Sequence, residues 1–103
     1  MKAIYINPAL KSVELIEIST DVDDWKQQIG AQWLDHQTLS TELGLLAVLD
    51  DEGLAKGLPE FTIFASVMNT RISLAGETLV VKSLGEDWVD ATEADIQRID
   101  VCF

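Results

Sequence analysis

Few residues in this chain have the types and spacing that chemistry needs. Asp21, Asp23 and Asp24 could hold a cation or meet a basic partner. The same three positions suit the first turn of a helix, where each negative charge adds roughly 0.3–1 kcal/mol, and that is the favoured explanation. Asp50-Asp51-Glu52-Gly53 suggests a calcium loop only superficially. An EF-hand needs oxygen ligands at alternate positions, a central glycine and a closing glutamate. Here glycine comes fourth and Phe61 stands twelfth, so the segment reads as a tight turn. His36 is the only histidine, which leaves no standard zinc set, and its neighbour Asp35 points to the opposite face of any strand. Cys102 lies next to Asp100 and the C-terminal carboxylate, a negative setting that disfavours a thiolate nucleophile, and a single cysteine forms no internal disulfide. Gly53, Gly57 and Gly76 lack the spacing of a phosphate loop.

No general base with a partner, nucleophile or metal set can therefore be assembled, and the expectation is a protein without catalysis, metal or cofactor. Recognition is left to the aromatics and the acids. Trp25 falls in the apolar stripe of a helix, while Trp88 sits beside a turn among Glu86, Asp87 and Asp90 and is the better interface anchor. Core packing is the default role for Trp25, Trp33 and Trp88 alike. The candidate partner-binding set is Asp21, Asp23, Asp24, Glu86, Asp87, Trp88 and Asp90.

The elements that must position these residues follow from periodicity and turn chemistry. Lys2–Ile6 and Ser12–Ile18 read as a hairpin around Asn7-Pro8-Ala9-Leu10-Lys11. The alternation of the second strand slips at Leu15-Ile16, as for a bulge or burial on both faces. Ser19 or Thr20 caps a helix whose stripe is Val22, Trp25 and Ile29 and whose end is Gly30. Ala31–Leu39 and Leu43–Leu49 form a second strand pair, the latter unalternating and hence covered on both faces. Phe61, Phe64, Met68 and Ile72 fit helical spacing and predict a short helix over Thr62–Asn69. Thr78–Ser83 is a strand, Trp88-Val89 a short one, and Thr92-Glu93-Ala94-Asp95 a near capping box opening a last helix. The expected fold is α+β in one domain, 1–103: a mostly antiparallel sheet of about five strands with two or three helices.

Met1-Lys2-Ala3-Ile4-Tyr5-Ile6-Asn7-Pro8, the stretch Asp51-Glu52-Gly53-Leu54-Ala55-Lys56-Gly57-Leu58-Pro59, and Ile72-x-Leu74-x-Gly76-x-x-Leu79-Val80-Val81 form three distinctive segments. Together they resemble a small domain-of-unknown-function family of phages, plasmids and integrated mobile elements. The shared residues are turn and core residues, so the resemblance implies a shared fold and a mobile-DNA setting. The family's pattern has a polar residue, often asparagine, after the Leu-Pro step. Glu60 and Phe61 stand there in this chain, and no role carries over to them.

Charge narrows the partner. With 18 acids against seven bases the chain carries a formal charge of −11, which disfavours direct binding to nucleic acid or to an anionic membrane. No signal-peptide pattern opens the chain, and its longest apolar run, Leu45–Leu49, is far too short for a membrane span, so a cytoplasmic protein is expected. Two functions fit. One is a binder of a host or phage protein, acting as an anti-defence inhibitor or by imitating DNA; the other is an adaptor or regulator working through an apolar patch or oligomer contact, its acids only solubilising. A folded chain of this mass exposes roughly 5,800 Å², about one acid per 320 Å². DNA carries about one charge per 100 Å². Imitation therefore requires the acids to gather on one face.

Overall fold

A computed structural model describes all residues from Met1 to Phe103. It contains ten elements: β1 (Lys2–Asn7), β2 (Ser12–Glu17), α1 (Val22–Ile29), β3 (Leu34–Ser40), β4 (Leu45–Asp50), β5 (Glu60–Ala65), β6 (Thr70–Ala75), β7 (Thr78–Leu84), β8 (Asp87–Val89) and α2 (Glu93–Ile99). The main sheet runs β2-β1-β7-β4-β3, with β8 also paired to β7, and β5-β6 forms a separate two-stranded sheet. Every pairing is antiparallel. No helix is long and apolar enough to cross a membrane.

The α+β expectation of about five strands and two or three helices is thus corrected: the domain is mostly β, with eight strands and two short helices. The largest source of the difference is Thr62–Asn69, which is strand and turn rather than helix. Glu60-Phe61-Thr62-Ile63-Phe64-Ala65 alternates, burying Phe61, Ile63 and Ala65 on one side. The i, i+3 separation of Phe61 and Phe64 mimics a helical step, but in a strand it sends the two rings to opposite faces. Asn69 in a left-handed conformation (φ 49°) closes the hairpin into β6, and Val67 and Met68 stand exposed at its tip.

Strand β7 organises the rest. Leu79, Val80 and Val81 are fully buried because this strand has neighbours on both edges and cover on both faces. On the first face, Ile4, Ile6, Leu45, Ala47 and Val80 pack against the β5-β6 hairpin and Ile99 of α2. On the second face, Ala3, Val48, Leu79 and Val81 meet Trp25 and Ile29 of α1. Asp21 caps α1, accepting from the Asp23 N–H at 2.9 Å, in place of Ser19 or Thr20. Gly30 ends the helix at φ 68°, as its sequence position indicates. Gly44, in the β3-β4 turn, permits a close crossing: a Cβ there would stand 2.0 Å from the Ser83 carbonyl oxygen. Thr92 opens α2 with a full capping box, its side chain and that of Asp95 bonding reciprocally.

Trp25 is nearly buried, and its indole N–H donates to the Ser19 carbonyl at 2.8 Å. We expect Trp25→Ala to lose roughly 3–5 kcal/mol of stability in a denaturant titration. An unchanged unfolding midpoint would show that α1 does not hold the second face.

Candidate functional site

The second face of the main sheet is only partly covered. An eight-residue helix is about 12 Å long and roughly 10 Å across. Five strands of six or seven residues span about 20 Å in each direction. Helix α1 therefore shields roughly a third of the face. Beside it lies an apolar groove of about 180 Å³, lined by Val22, Trp25, Leu34, Leu46, Val48 and Trp88, with Asp35 and His36 at its edge.

Trp88 is the keystone of this groove. Its ring meets Trp25 edge to face, with centroids 5.3 Å apart and planes at 80°, a favoured aromatic geometry. It remains 38% exposed, partly open as its place beside a turn indicates. Val22, placed in the core stripe by spacing, is instead 47% exposed on the groove. Trp33 departs further from the core expectation at 57% exposed, with the Lys26 ammonium 5.7 Å over its ring.

The Trp25–Trp88 contact also joins two acidic segments that are distant in sequence. Asp21, Asp23 and Asp24 belong to the start of α1, and Glu86, Asp87 and Asp90 flank Trp88. All six are exposed. Several have local work as well: Asp21 caps α1, Asp24 accepts from the Ser19 hydroxyl, and Asp90 accepts from the Lys2 N–H at 2.7 Å. Glu86 and Asp87 make no side-chain hydrogen bond or ion pair within the chain.

Two carboxylates are almost wholly buried, and nothing in the sequence showed the burial of either. Asp50 is 3% exposed and holds the Lys56 ammonium at 2.6 Å and the Glu52 N–H at 2.9 Å. Burial pushes its carboxyl up, but these hydrogen bonds and the lysine charge outweigh burial and hold it below the ordinary range. The same bond to Asp50 raises Lys56 above the ordinary lysine value. Asp95, also 3% exposed, receives Lys82 at 3.1 Å and the Thr92 N–H at 2.9 Å. Here too burial raises the carboxyl, and Lys82 and Thr92 together bring it below the ordinary range. The capping box pointed to Asp95; nothing in the spacing pointed to its partner on β7.

A match to the family described as "Domain of unknown function (DUF3846)" covers residues 1–102. The chain belongs to the DUF3846 family. No curated protein and no solved structure matches it. Asn7, Pro8, Lys56, Leu58, Pro59 and Gly76, drawn from three segments distant in sequence, line one cleft of the domain.

Two predictions follow from the charges. Asp95 lies below its ordinary pKa in the folded domain, so its stabilisation is present above about pH 4 and lost as pH falls through the folded value. Lys82→Met should lose about 2–3 kcal/mol near neutrality, less than the roughly 3–5 of a fully buried pair because Lys82 keeps partial exposure. In denaturant titrations the gap to wild type should narrow as pH falls below about 4; a gap independent of pH would exclude this origin. The second concerns the other acids. Only Glu17, Asp23, Asp50, Asp95 and Asp100 lie within 4.0 Å of a base. The rest repel one another unscreened, so the melting temperature should rise as sodium chloride shortens the Debye length to about 10 Å at 0.1 M. A fall over that range would mean that native ion pairs dominate.

Proposed function

We propose that this domain is a protein-binding module without catalysis, whose Trp25–Trp88 groove receives an apolar side chain from a basic segment of its partner. The observation that carries the proposal is the half-exposed Trp88, seated on Trp25 at the mouth of an apolar groove flanked by acidic segments. Small-molecule sites enclose roughly 300–1,000 Å³. A groove of about 180 Å³ suits one anchoring side chain better than a metabolite. Asp21, Asp23 and Asp24, next in the chain to the groove residues Val22 and Trp25, and Glu86 and Asp87, just before Trp88, are exposed and favour lysines or arginines around that anchor.

This combines the two functions that fit the sequence: an apolar contact supplies the holding force, and the charge steers. In the mobile-element setting that the resemblance implies, the partner would be a cytoplasmic host or phage protein, and the domain an anti-defence inhibitor or accessory regulator. Imitation of DNA is the weaker form of the idea. The domain exposes 5807 Å² for its 18 acids, about one per 320 Å², roughly threefold sparser than a duplex. Its acids are also spread along the chain, over β2, α1, β3, β4, β5, β8 and α2.

The test is photo-crosslinking from position 36, at the groove edge, in the cell that carries the protein, with the attached segment sequenced by mass spectrometry. A basic segment with a central apolar residue is expected, and Trp88→Ala should reduce its capture at least tenfold without unfolding the domain. Capture of an acidic segment, or capture indifferent to Trp88, would sink the proposal.

A further inference from the structure

At the other end of α1 lies a larger cleft, of about 500 Å³. That volume falls within the range of small-molecule sites. Four separate turns converge on it: the β1-β2 turn, the end of α1 at Gly30, the β4-β5 connection and the β6-β7 turn. Leu10, Ile29, Leu58 and Pro59 give it apolar walls. Its polar groups are Asn7, Glu77 and the Asp50–Lys56 pair.

The charges in this cleft are unequal. Lys56 and Asp50 lie 2.6 Å apart and cancel one another at short range. Glu77 has no base within ion-pair distance, and only its Oε1 is engaged, accepting from the Tyr5 hydroxyl. Its Oε2 has no partner in the chain. Helix α1 ends here, adding the partial negative charge of its terminal carbonyls. The cleft thus pairs apolar walls with one uncompensated carboxylate.

We propose that this cleft binds a small organic cation, a primary ammonium on an apolar stem, with Glu77 as the counter-charge. An anion is disfavoured because the one lysine is already matched. A hard metal ion is disfavoured because a lone free carboxylate falls short of the six to eight oxygens that calcium takes. The net charge of −11 raises the local concentration of any cation. The site is separate from the Trp88 groove, since α1 puts about 12 Å between its two ends.

The test is an NMR titration of the whole domain with n-butylammonium, 1-butanol and butyrate at matched ionic strength. Butylammonium should move the amides of Asn7, Leu10, Gly30 and Glu77 and bind about tenfold tighter than butanol, as a charge-assisted hydrogen bond predicts. Glu77→Gln, which keeps an acceptor for Tyr5, should abolish that preference. Ala9→Trp fills the cleft from its exposed rim and should block both ligands, whereas Trp88→Ala should leave binding unchanged. A blocked lysine that competes for the same amides would make a partner's side chain the source of the ammonium; its exclusion would make it a free amine. Equal binding of butylammonium and butanol, or shifts scattered over the acidic surface, would overturn the assignment.

Discussion

Strand β7 must be covered on both faces, and the rest of the domain answers to that requirement. Its central residues Leu79, Val80 and Val81 have no contact with solvent, and three strands pair along its two edges. The first face receives a hairpin and a helix; the second receives one helix of two turns. Unequal cover of a sheet that is apolar on both sides leaves a strip of side chains neither buried nor properly wet. Trp88 closes part of that strip by leaning on Trp25, and what it leaves open is the groove. The groove is therefore a consequence of how the core is finished, and not an addition to it.

Much of this architecture was legible in the chain because local signals and tertiary contacts agree. The β1-β2 hairpin, the Trp25-Ile29 stripe closed by Gly30, the unalternating β4 and the cap at Thr92 all have one physical cause each, visible within a few residues. The hairpin of β5 and β6 was not legible, because Phe61 and Phe64 stand a helical step apart while Phe61, Ile63 and Ala65 alternate, and only the partner strand decides between the two periods. The strand reading also explains the tail: Thr62 and Cys102 exchange two backbone hydrogen bonds of 2.8 Å, covering an edge that a helix would not present. Cys102 thus matters through its backbone, while Phe103 leans on Phe61.

The candidate site was half legible for a related reason. Trp88 announced itself by standing among acids beside a turn. Its contact with Trp25 did not, since nothing local states that β8 will lie across α1. The fold divides the acids in a way that spacing does not show. Asp50 and Asp95 look in sequence like any other turn and cap residues, yet both are buried, each held by a lysine. Lys56 is six residues from its partner and Lys82 thirteen, separations at which no helical or strand rule pairs charges.

That division bears on what the remaining charge can do. A buried ion pair stabilises only while both members are present, and by the same token is unavailable to a partner. The exposed acids are the reverse case: they add little to the fold, repel one another, and are free to act at long range. Charges of this kind raise the rate of encounter with a basic molecule more than the strength with which it is held. On the proposed reading holding comes from desolvated contact, and the two concavities differ in what they would ask of a ligand. The groove offers aromatic surface without a buried counter-charge and suits an apolar side chain. The cleft offers apolar walls around a single unmatched carboxylate and suits a cation small enough to enter. One field serves both, but the chemistry that each retains is different.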